Sequence, residues 1–285
     1  MNANDLTFGV EIETVAPESA CTLHGLVVGS HCGPKQVPYL PRGWKAGDDC
    51  SIDNSNGGKR CEIVSPILKG REGLAQVLEV VRILNEKGHR VNASCGIHVH
   101  IGWNPATSSI TLTRLITMVA YVEKGLYAIT GTKSRERGRF TKSVQKEGTN
   151  AEQAKAKLDY DRYHALNLTN LANGRKDTVE FRVFSGSLNA TKITGWIQVC
   201  LGLVEKALNS SRMPKWAPAA PKGGWAKKGQ GQSECERLIS FLAWTDAQAR
   251  AAKTHAKGWL AAEGTSKDEI IAEFRRLAKK YDSEN

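Results

Sequence analysis

Long apolar runs are absent from this sequence. No stretch of about 18 consecutive apolar residues occurs, so no helix that crosses a bilayer is expected. The first residues, Met1 to Leu6, lack the basic and apolar segments of a secretory signal peptide. We therefore predict a cytoplasmic location, and we expect the seven cysteines, an odd number, to be reduced thiols.

Two common phosphate-binding motifs are also missing. No glycine-rich loop ends in Lys-Ser or Lys-Thr, and no dinucleotide-binding glycine fingerprint is present. A phosphate group would therefore have to be held by metal ions and arginine. The net charge of +11, from 40 Lys and Arg against 29 Asp and Glu, favours anionic ligands and also allows nucleic acid as a partner.

What the sequence does contain is a strand with acidic residues on one face. Apolar and acidic residues alternate from Phe8 to Glu13, which is typical of a β-strand. Glu11 and Glu13 then point the same way, about 6.5 to 7 Å apart. Two carboxylates this close repel each other unless a cation or solvent lies between them. A half-buried strand with a solvated face is the alternative to a site.

Two later segments repeat the pattern. One carries His98 and His100, another carries Glu180 and Arg182, and each pair has apolar neighbours on the opposite face. Glu62 lies on a fourth predicted strand that ends at a proline. An antiparallel sheet with one face on the core and one face lining a solvated cavity would display all these groups together.

Helical periodicity places helices between the strands. It predicts buried or amphipathic helices at residues 71–87, 111–130 and 191–209. Residues 163–171 and 178–188 are expected to pair as strands across a short turn. The predicted fold class is therefore α+β, a curved antiparallel sheet with packed helices.

Composition changes after residue 209. Residues 213–232 are rich in Pro, Gly and Lys and contain no acidic residue, which is typical of an exposed connector. Two further helices are expected, at residues 233–262 and 266–281. We predict a catalytic domain at 1–209, a linker at 210–232 and a helical C-terminal appendage at 233–285.

Two irregular segments carry chemistry-bearing residues. In residues 16–60, Cys21 and His24 have a spacing found in zinc sites, but His31 and Cys32 are adjacent, which is awkward for a tetrahedral site. A structural zinc and ordinary loop residues both stay open. The other segment, 131–142, is basic and contains glycines, so it suits phosphate, with a solvated charged loop as the alternative.

The predicted face favours one class of metal. Several carboxylates with few nitrogen ligands and no thiolate pair favour Mg²⁺ or Mn²⁺ over zinc. Divalent metals together with arginine suit phosphoryl transfer from ATP, where neutralising developing charge is most of the task.

These segments together resemble the amidoligase family of the carboxylate–amine ligase superfamily, which also contains glutamine synthetase and glutamate–cysteine ligase. The resemblance covers about residues 8 to 188. It is carried by Phe8 to Glu13, Asp49, Ser51 and Ile52, Glu62 to Pro66, Gly96 to Gly102, Tyr163, Leu166 and Asn167, and Thr178 to Arg182. Each segment is short, but their number and order make the joint match specific.

The resemblance implies ATP-dependent joining of a carboxylate to an amine, with Mg²⁺ or Mn²⁺. Glu11 and Glu13 are similar to the first-strand glutamate pair that is shared between two metals in glutamine synthetase. Glu62 is similar to a ligand of the metal nearer the acyl group. His98 and Glu180 are similar to ligands of the metal on the nucleotide side.

The same resemblance implies the remaining roles. Arg182 would steady the transferred phosphoryl group, and His100 would support a ligand or bind substrate. The predicted catalytic residues are Arg182, Glu62 and His100. The predicted nucleotide-phosphate contacts are Arg137, Arg139, Lys142 and Arg182. The ammonia-site loops of glutamine synthetase are not identifiable, so the amine is not assumed to be ammonia.

The expected substrates are a small-molecule or peptide carboxylate and an amine, joined through an acyl phosphate. A metal-dependent hydrolase that uses the same side chains to activate water is one alternative. A non-catalytic module that binds nucleic acid through its basic surface is another. The sequence leaves open whether the protein forms an oligomer.

Overall fold

A computed structural model of the protein describes residues 2–216, 230–245 and 265–284. The described strands are β1 (Thr7–Ala16), β2 (Lys35–Gln36), β3 (Lys45–Gly47), β4 (Lys59–Val64), β5 (Leu68–Lys69), β6 (Gly96–Gly102), β7 (Leu166–Asn167) and β8 (Thr178–Ser185). They form one eight-stranded sheet in the order β2-β3-β4-β1-β6-β8-β7, and β5 pairs with the first residues of β1. All these strand pairs are antiparallel, as the sequence predicts.

Helices accompany the sheet and complete a mixed α+β fold. The described α-helices are α1 (Glu18–Thr22), α2 (Gly70–Glu86), α3 (Ser109–Ala128), α4 (Ser134–Arg137), α5 (Ala151–Leu158), α6 (Thr169–Ala172), α7 (Ala190–Asn209), α8 (Gln230–Phe241) and α9 (Lys267–Ser283). Short 3₁₀ helices span Ala3–Asp5 and Gln145–Glu147. None of the described helices has the length and apolar character that a membrane span needs.

One hydrophobic core joins the sheet to the helices. The apolar residues that alternate with the polar pairs, such as Ile12, Val99 and Phe181, are buried in it. The α7 helix contacts β6, and α3 contacts β8. Trp196 on α7 stacks on Phe184 of β8 with ring centroids 5.1 Å apart. The apolar side of each strand thus fixes the sheet on the helices and leaves the polar side for a site.

The two C-terminal helices are part of the same core. Gly125 of α3 lies so close to α8 that an added Cβ would be 2.6 Å from the carbonyl oxygen of Glu234. Gly195 of α7 is covered in the same way by Ile270 and Phe274 of α9. The domain boundary at residue 209 stays a prediction, but these glycines let α8 and α9 pack directly on α3 and α7.

Two sequence-based predictions of secondary structure need correction. The expected hairpin is reduced to the two residues of β7, since the chain then forms α6 in place of a continued strand. The helix expected at 233–262 begins earlier and ends at Phe241, because Ala243 adopts a left-handed conformation with φ of 54°. The rest of that helix and most of the linker, residues 246–262 and 217–229, lie outside the described residues.

Two helix ends predicted from the sequence are present in the structure. Ser266 and Glu269 form the predicted capping box at the start of α9, each side chain accepting from the other residue's backbone N–H. Gly88, just after α2, takes a φ of 76°, a conformation that glycine adopts without steric cost.

Candidate active site

Strand register brings the predicted polar residues onto one patch of the sheet. In the β1–β4 pair, Glu13 lies opposite Glu62. In the β1–β6 pair, Glu11 lies opposite His98. The β6–β8 pair places His100 opposite Glu180 in the same way. Four neighbouring strands therefore supply one cluster of carboxylates and imidazoles.

Glu11 lies at the centre of this cluster. Its Oε2 is 3.1 Å from Nδ1 of His98, and its Oε1 is 3.1 Å from Nε2 of His100. Burial alone would raise the pKa of Glu11, but the neighbouring His100 and His98 outweigh burial and hold that pKa well below its usual value. Burial would also lower the pKa of His100, and Glu11 and Glu180 raise it instead.

Glu180 and Arg182 form a buried charge pair on β8. Nη1 of Arg182 donates to Oε1 of Glu180 at 2.5 Å, and Nδ2 of Asn167 donates to the other oxygen at 2.7 Å. Burial raises the pKa of Glu180, but His100, Arg182 and His98 bring it below its usual value. Nε of Arg182 is buried and has no hydrogen-bond partner among the described residues. One donor of this guanidinium is thus available for an anion.

A β-bulge sets the position of Arg182. Between the pairs Ile97–Phe184 and Val99–Phe181, β8 has one more residue than β6. The backbone N–H of Arg182 donates outside this pair, to the carbonyl of Ala165 at 2.9 Å. Bulges often re-aim side chains next to active sites, and no alternation pattern in the sequence reveals this one.

Carboxylates crowd the other end of the patch. Ligand atoms of Glu13, Asp49 and Glu62 lie within 4.8 Å of one another. Burial and the repulsion of Glu11, Asp49 and Glu13 raise the pKa of Glu62 to about 9. Asp49 is different: hydrogen bonds from Ser51 outweigh burial and lower its pKa. Oε2 of Glu13 accepts from the backbone N–H of Gly96 at 2.6 Å.

Three groups of side chains could each hold a divalent ion. Besides Glu13, Asp49 and Glu62, they are Glu11 with His100 and Glu180, and Glu11 with Glu62 and His98. Carboxylate oxygens with one imidazole suit Mg²⁺ or Mn²⁺, and a cation would relieve the repulsion that raises the pKa of Glu62. The residues present therefore fit the predicted metals.

The zinc alternative gains no support among the described residues. The side-chain groups there that are close enough to bind an ion contain none of Cys21, His24, His31 or Cys32. Cys32 and Cys50 are exposed, and all seven cysteines are free thiols.

A cavity of about 530 Å³ opens onto the patch, which is within the usual size of a ligand pocket. Its walls include Glu13, His98 and Arg182 from the strands. Loops supply the rest: Asp48 and Asp49 on one side, and four residues, Arg135, Arg139, Arg162 and Tyr163, on the other. The cavity therefore has an acidic side and a basic side.

The basic loop contributes differently from what the sequence predicts. Of the three residues proposed for phosphate, Arg139 lines the cavity, with its guanidinium 4.6 Å from the centroid of the Phe140 ring. Lys142 pairs with Asp161 at 2.7 Å, and Arg137 borders a second cleft. Neither Lys142 nor Arg137 is among the residues that line the active-site cavity.

Arg135 is the loop residue that sequence reasoning missed. Its Nη2 donates to the carbonyls of Phe184 and Cys95 at 2.6 and 3.1 Å. A Cβ at Gly96 would be 2.3 Å from Nη2, so the glycine makes room for the guanidinium. Its Nε is buried without a partner in the described residues. The sequence offers four similar cations between Lys133 and Arg139 and no means of choosing among them.

A similar fold occurs among solved structures. The complex of the prokaryotic ubiquitin-like protein Pup with its ligase PafA matches 98% of this chain at 10% identity, with a TM-score of 0.51. This chain spans 64% of that protein, so the likeness concerns the fold. A bifunctional glutathione synthetase from Pasteurella multocida (98% of this chain and 48% of that one, 11% identity, TM-score 0.46) and a GmaS/ADP complex (96% and 68%, 13% identity, TM-score 0.41) have scores too low to support more.

The sequence itself gives the stronger relationship. No curated protein matches it significantly. The family model described as "Putative amidoligase enzyme" matches residues 4–160 and 146–204, which include every described strand and all the sheet residues of the site. The protein belongs to the amidoligase family.

Proposed function

We propose that the protein is an ATP-dependent carboxylate–amine ligase that works through an acyl phosphate. One observation carries the proposal: a single cavity is lined by Glu13, Asp49 and His98 from the candidate metal-ligand groups, and by Arg135 and Arg182. The Nε atom of each arginine is buried and has no hydrogen-bond partner among the described residues. Hydrolysis of an ester or amide needs a metal-activated water but not this capacity for phosphate. The phosphate capacity favours the ligase over the hydrolase.

The metal ligands divide between the two ends of the patch. Glu11, His100 and Glu180 would hold an ion near Arg182, and Glu13, Glu62 and Asp49 would hold one near the acidic side, with His98 between them. When bound, such ions neutralise phosphate charge and polarise the oxygens that react.

In the first step, a carboxylate oxygen of the substrate attacks the γ-phosphorus of ATP. The bond to the β-phosphate oxygen breaks, which yields an acyl phosphate and ADP. Arg182 is held by Glu180, and its guanidinium offsets the negative charge that spreads over the moving phosphoryl oxygens. Arg135, which lines the same cavity, would also bind phosphate oxygens.

In the second step, the amine nitrogen attacks the acyl carbon, and inorganic phosphate leaves. The nitrogen must lose a proton as the amide forms. A carboxylate on the acidic side of the cavity, where Asp48 and Asp49 lie, would accept this proton. The acidic side also attracts a protonated amine before reaction.

An aromatic pair in the cavity wall would hold the base of the nucleotide. The rings of Phe140 and Tyr163 meet edge to face with centroids 5.2 Å apart, and both line the cavity. Tyr163 is 41% exposed, so part of its ring is open to a planar ligand. Arg139 and Arg162 lie over these rings and would bind phosphate or stack on the base.

The test is a screen of amino acids, short peptides and amines for conversion of ATP to ADP with Mg²⁺. We expect ADP to form only when both a carboxylate and an amine are present, and a Glu13→Gln variant to form none. Hydrolysis of an ester or amide without ATP would support the metal-dependent hydrolase instead. A metal-free protein that shifts nucleic acid at physiological salt and turns over no ATP would support the binding module.

A further inference from the structure

The short helix α4 separates two cavities. On one side, Arg135 reaches the active-site cavity. On the other side, Lys133, Glu136 and Arg137 line a second cleft of about 1040 Å³. Residues of α8 and α9, Tyr281 among them, form the opposite wall of this cleft. Contacts on the outer side of α4 can therefore affect the position of Arg135 in the active-site cavity.

The end of α9 holds that outer side. Oε2 of Glu284 accepts from the backbone N–H of Lys133 at 2.7 Å and from Oγ1 of Thr132 at 2.9 Å. The backbone carbonyl of Glu284 accepts from the Lys133 ammonium. The hydroxyl of Tyr281 donates to Glu136, and the Lys133 ammonium lies 5.8 Å from the centroid of the Tyr281 ring. The residues just before α4 and Glu136 within it are therefore bound to the end of α9.

The end of α9 is itself anchored. Asp282 accepts from the backbone N–H groups of Gly231 and Gln232 at 2.6 and 3.1 Å, which fixes it to the start of α8. Just before α4, Gly131 lies against α9, and an added Cβ would be 2.7 Å from Cδ2 of Leu277. A fixed partner can restrain a loop, whereas a mobile one cannot.

The inner side of α4 is held through Arg135. The described hydrogen bonds of the Arg135 side chain go from Nη2 to two backbone carbonyls, and no described acidic group pairs with it. A short helix between glycines, Gly131 and Gly138, has little local reason to keep one position. Contacts from α9 add a restraint that the loop does not supply by itself.

We propose that Tyr281, Asp282 and Glu284, here named the C-terminal clamp, position α4 so that Arg135 stays in the active-site cavity and binds nucleotide phosphate. The clamp residues are positioning residues, since they act through Arg135. The role given to Arg135 rests on the proposed function, whereas the restraint of α4 does not.

The first experiment measures the restraint without any ligand. The loop offers trypsin five sites, at Lys133, Arg135, Arg137, Arg139 and Lys142, and mass spectrometry follows cleavage at each. We expect Glu284→Ala and Tyr281→Phe to speed cleavage in this loop several-fold at unchanged melting temperature. Lys280→Ala is the matched control, because its side chain is exposed on the same turn of α9. Equal cleavage in all four proteins would overturn the clamp.

The second experiment measures the consequence for the site. We expect Glu284→Ala to weaken binding of Mg²⁺-ADP and of Mg²⁺-tripolyphosphate about tenfold, the loss typical of one charge-assisted hydrogen bond. Arg135→Ala should weaken binding to a similar extent, and adding Glu284→Ala to it should weaken binding no further. Additive losses, or unchanged binding in Glu284→Ala, would overturn the positioning role.

The two experiments separate this proposal from the proposed function. A wild-type protein that binds neither ADP nor tripolyphosphate would overturn the nucleotide site and with it the role of Arg135. Faster cleavage of the Glu284→Ala loop in that case would still support the restraint of α4.

Discussion

The candidate site has two halves that are built in different ways. Strands supply one half, in which Glu11, Glu62, His98 and Glu180 are fixed by register and by hydrogen bonds across the sheet. Loops supply the other half, which includes Arg135 and is held by contacts from the end of the chain. The strand half is fixed by local geometry, and the loop half depends on residues more than a hundred positions away.

Because of this difference, the two halves suit different tasks in the reaction. A rigid sheet suits metal ligands, whose atoms must keep their distances to within a few tenths of an ångström. A restrained loop suits phosphate and substrate, which must enter and leave. Damage to the strand half should therefore stop the reaction, and damage to the loop half should weaken binding.

The largest expected effect comes from truncation after Asn209. This change removes α8, α9 and the C-terminal clamp, and it uncovers apolar residues of α3 and α7 that are now in the core. We expect the shortened protein to aggregate or to melt far below the full chain, as measured by soluble yield and thermal unfolding. A soluble 1–209 protein that binds Mg²⁺-ADP would support the predicted domain boundary and would break the proposed dependence of the loop half on the C-terminal helices.

Next in size is the effect of Arg182→Lys in the strand half. Lysine keeps the charge but loses the planar guanidinium and its Nε. We expect kcat to fall about a thousandfold, as for an arginine aimed at a phosphoryl-transfer transition state, with nucleotide KM nearly unchanged. Arg82→Lys, on an exposed face of α2, is the control. Near-normal turnover in Arg182→Lys would remove this residue from the chemical step.

Replacing either of two glutamates in the strand half should abolish turnover, but the two replacements should change the stability of the protein in opposite directions. The free energy of unfolding of the metal-free protein should rise in Glu62→Gln, because Glu62 is crowded by other carboxylates. It should fall in Glu11→Gln, because Glu11 contacts two histidines. Thermal melting without metal measures both. Equal shifts would contradict the charge distribution described for the patch.

Within the loop half, Arg135→Ala and Lys142→Ala provide a matched pair. Arg135 lines the cavity, and Lys142 pairs with Asp161 outside it. We expect Mg²⁺-ADP binding to weaken about tenfold in the first variant and to change little in the second, as measured by calorimetry. The reverse order would favour the phosphate contact predicted from the sequence at Lys142.

The last prediction concerns the pH dependence of stability without metal. The pKa of Glu62 is about 9 in the folded chain against an ordinary value of 4.5, so between these values folding takes up a proton. The free energy of unfolding must then fall as pH rises through this window. His100, whose pKa is also raised, adds a slope of the same sign.

Magnesium provides the control for that slope. If ions bind the patch, Mg²⁺ should abolish the part of the decline between about pH 7.5 and pH 9, because the ion replaces the proton. A smaller decline near pH 7 should persist, since burial raises the pKa of Glu123, away from the patch, to about 7. A decline that Mg²⁺ leaves unaltered at high pH would place the titrating group elsewhere.

The two halves also differ in how far the sequence predicts them. Alternation on β1, β6 and β8 was sufficient to place Glu11, His98 and Glu180 on one face, because a strand has a fixed period. Alternation did not reveal the bulge at Arg182 or the membership of Asp49 in a ligand group. For the basic loop, composition predicts a cationic segment that suits phosphate, and the family resemblance points to Arg137, Arg139 and Lys142. Neither identifies Arg135, because its position depends on contacts between segments far apart in the chain.

Transfer of oxygen between substrate and phosphate tests the central claim most directly. A carboxylate found in the substrate screen would be labelled with ¹⁸O on both oxygens, and phosphate released in the presence of ATP, Mg²⁺ and the amine would be analysed by mass spectrometry. If the carboxylate attacks the γ-phosphorus, each released phosphate carries one ¹⁸O atom from the substrate. Unlabelled phosphate would show that the carboxylate is not phosphorylated, and it would contradict the ligase mechanism proposed for this sheet face.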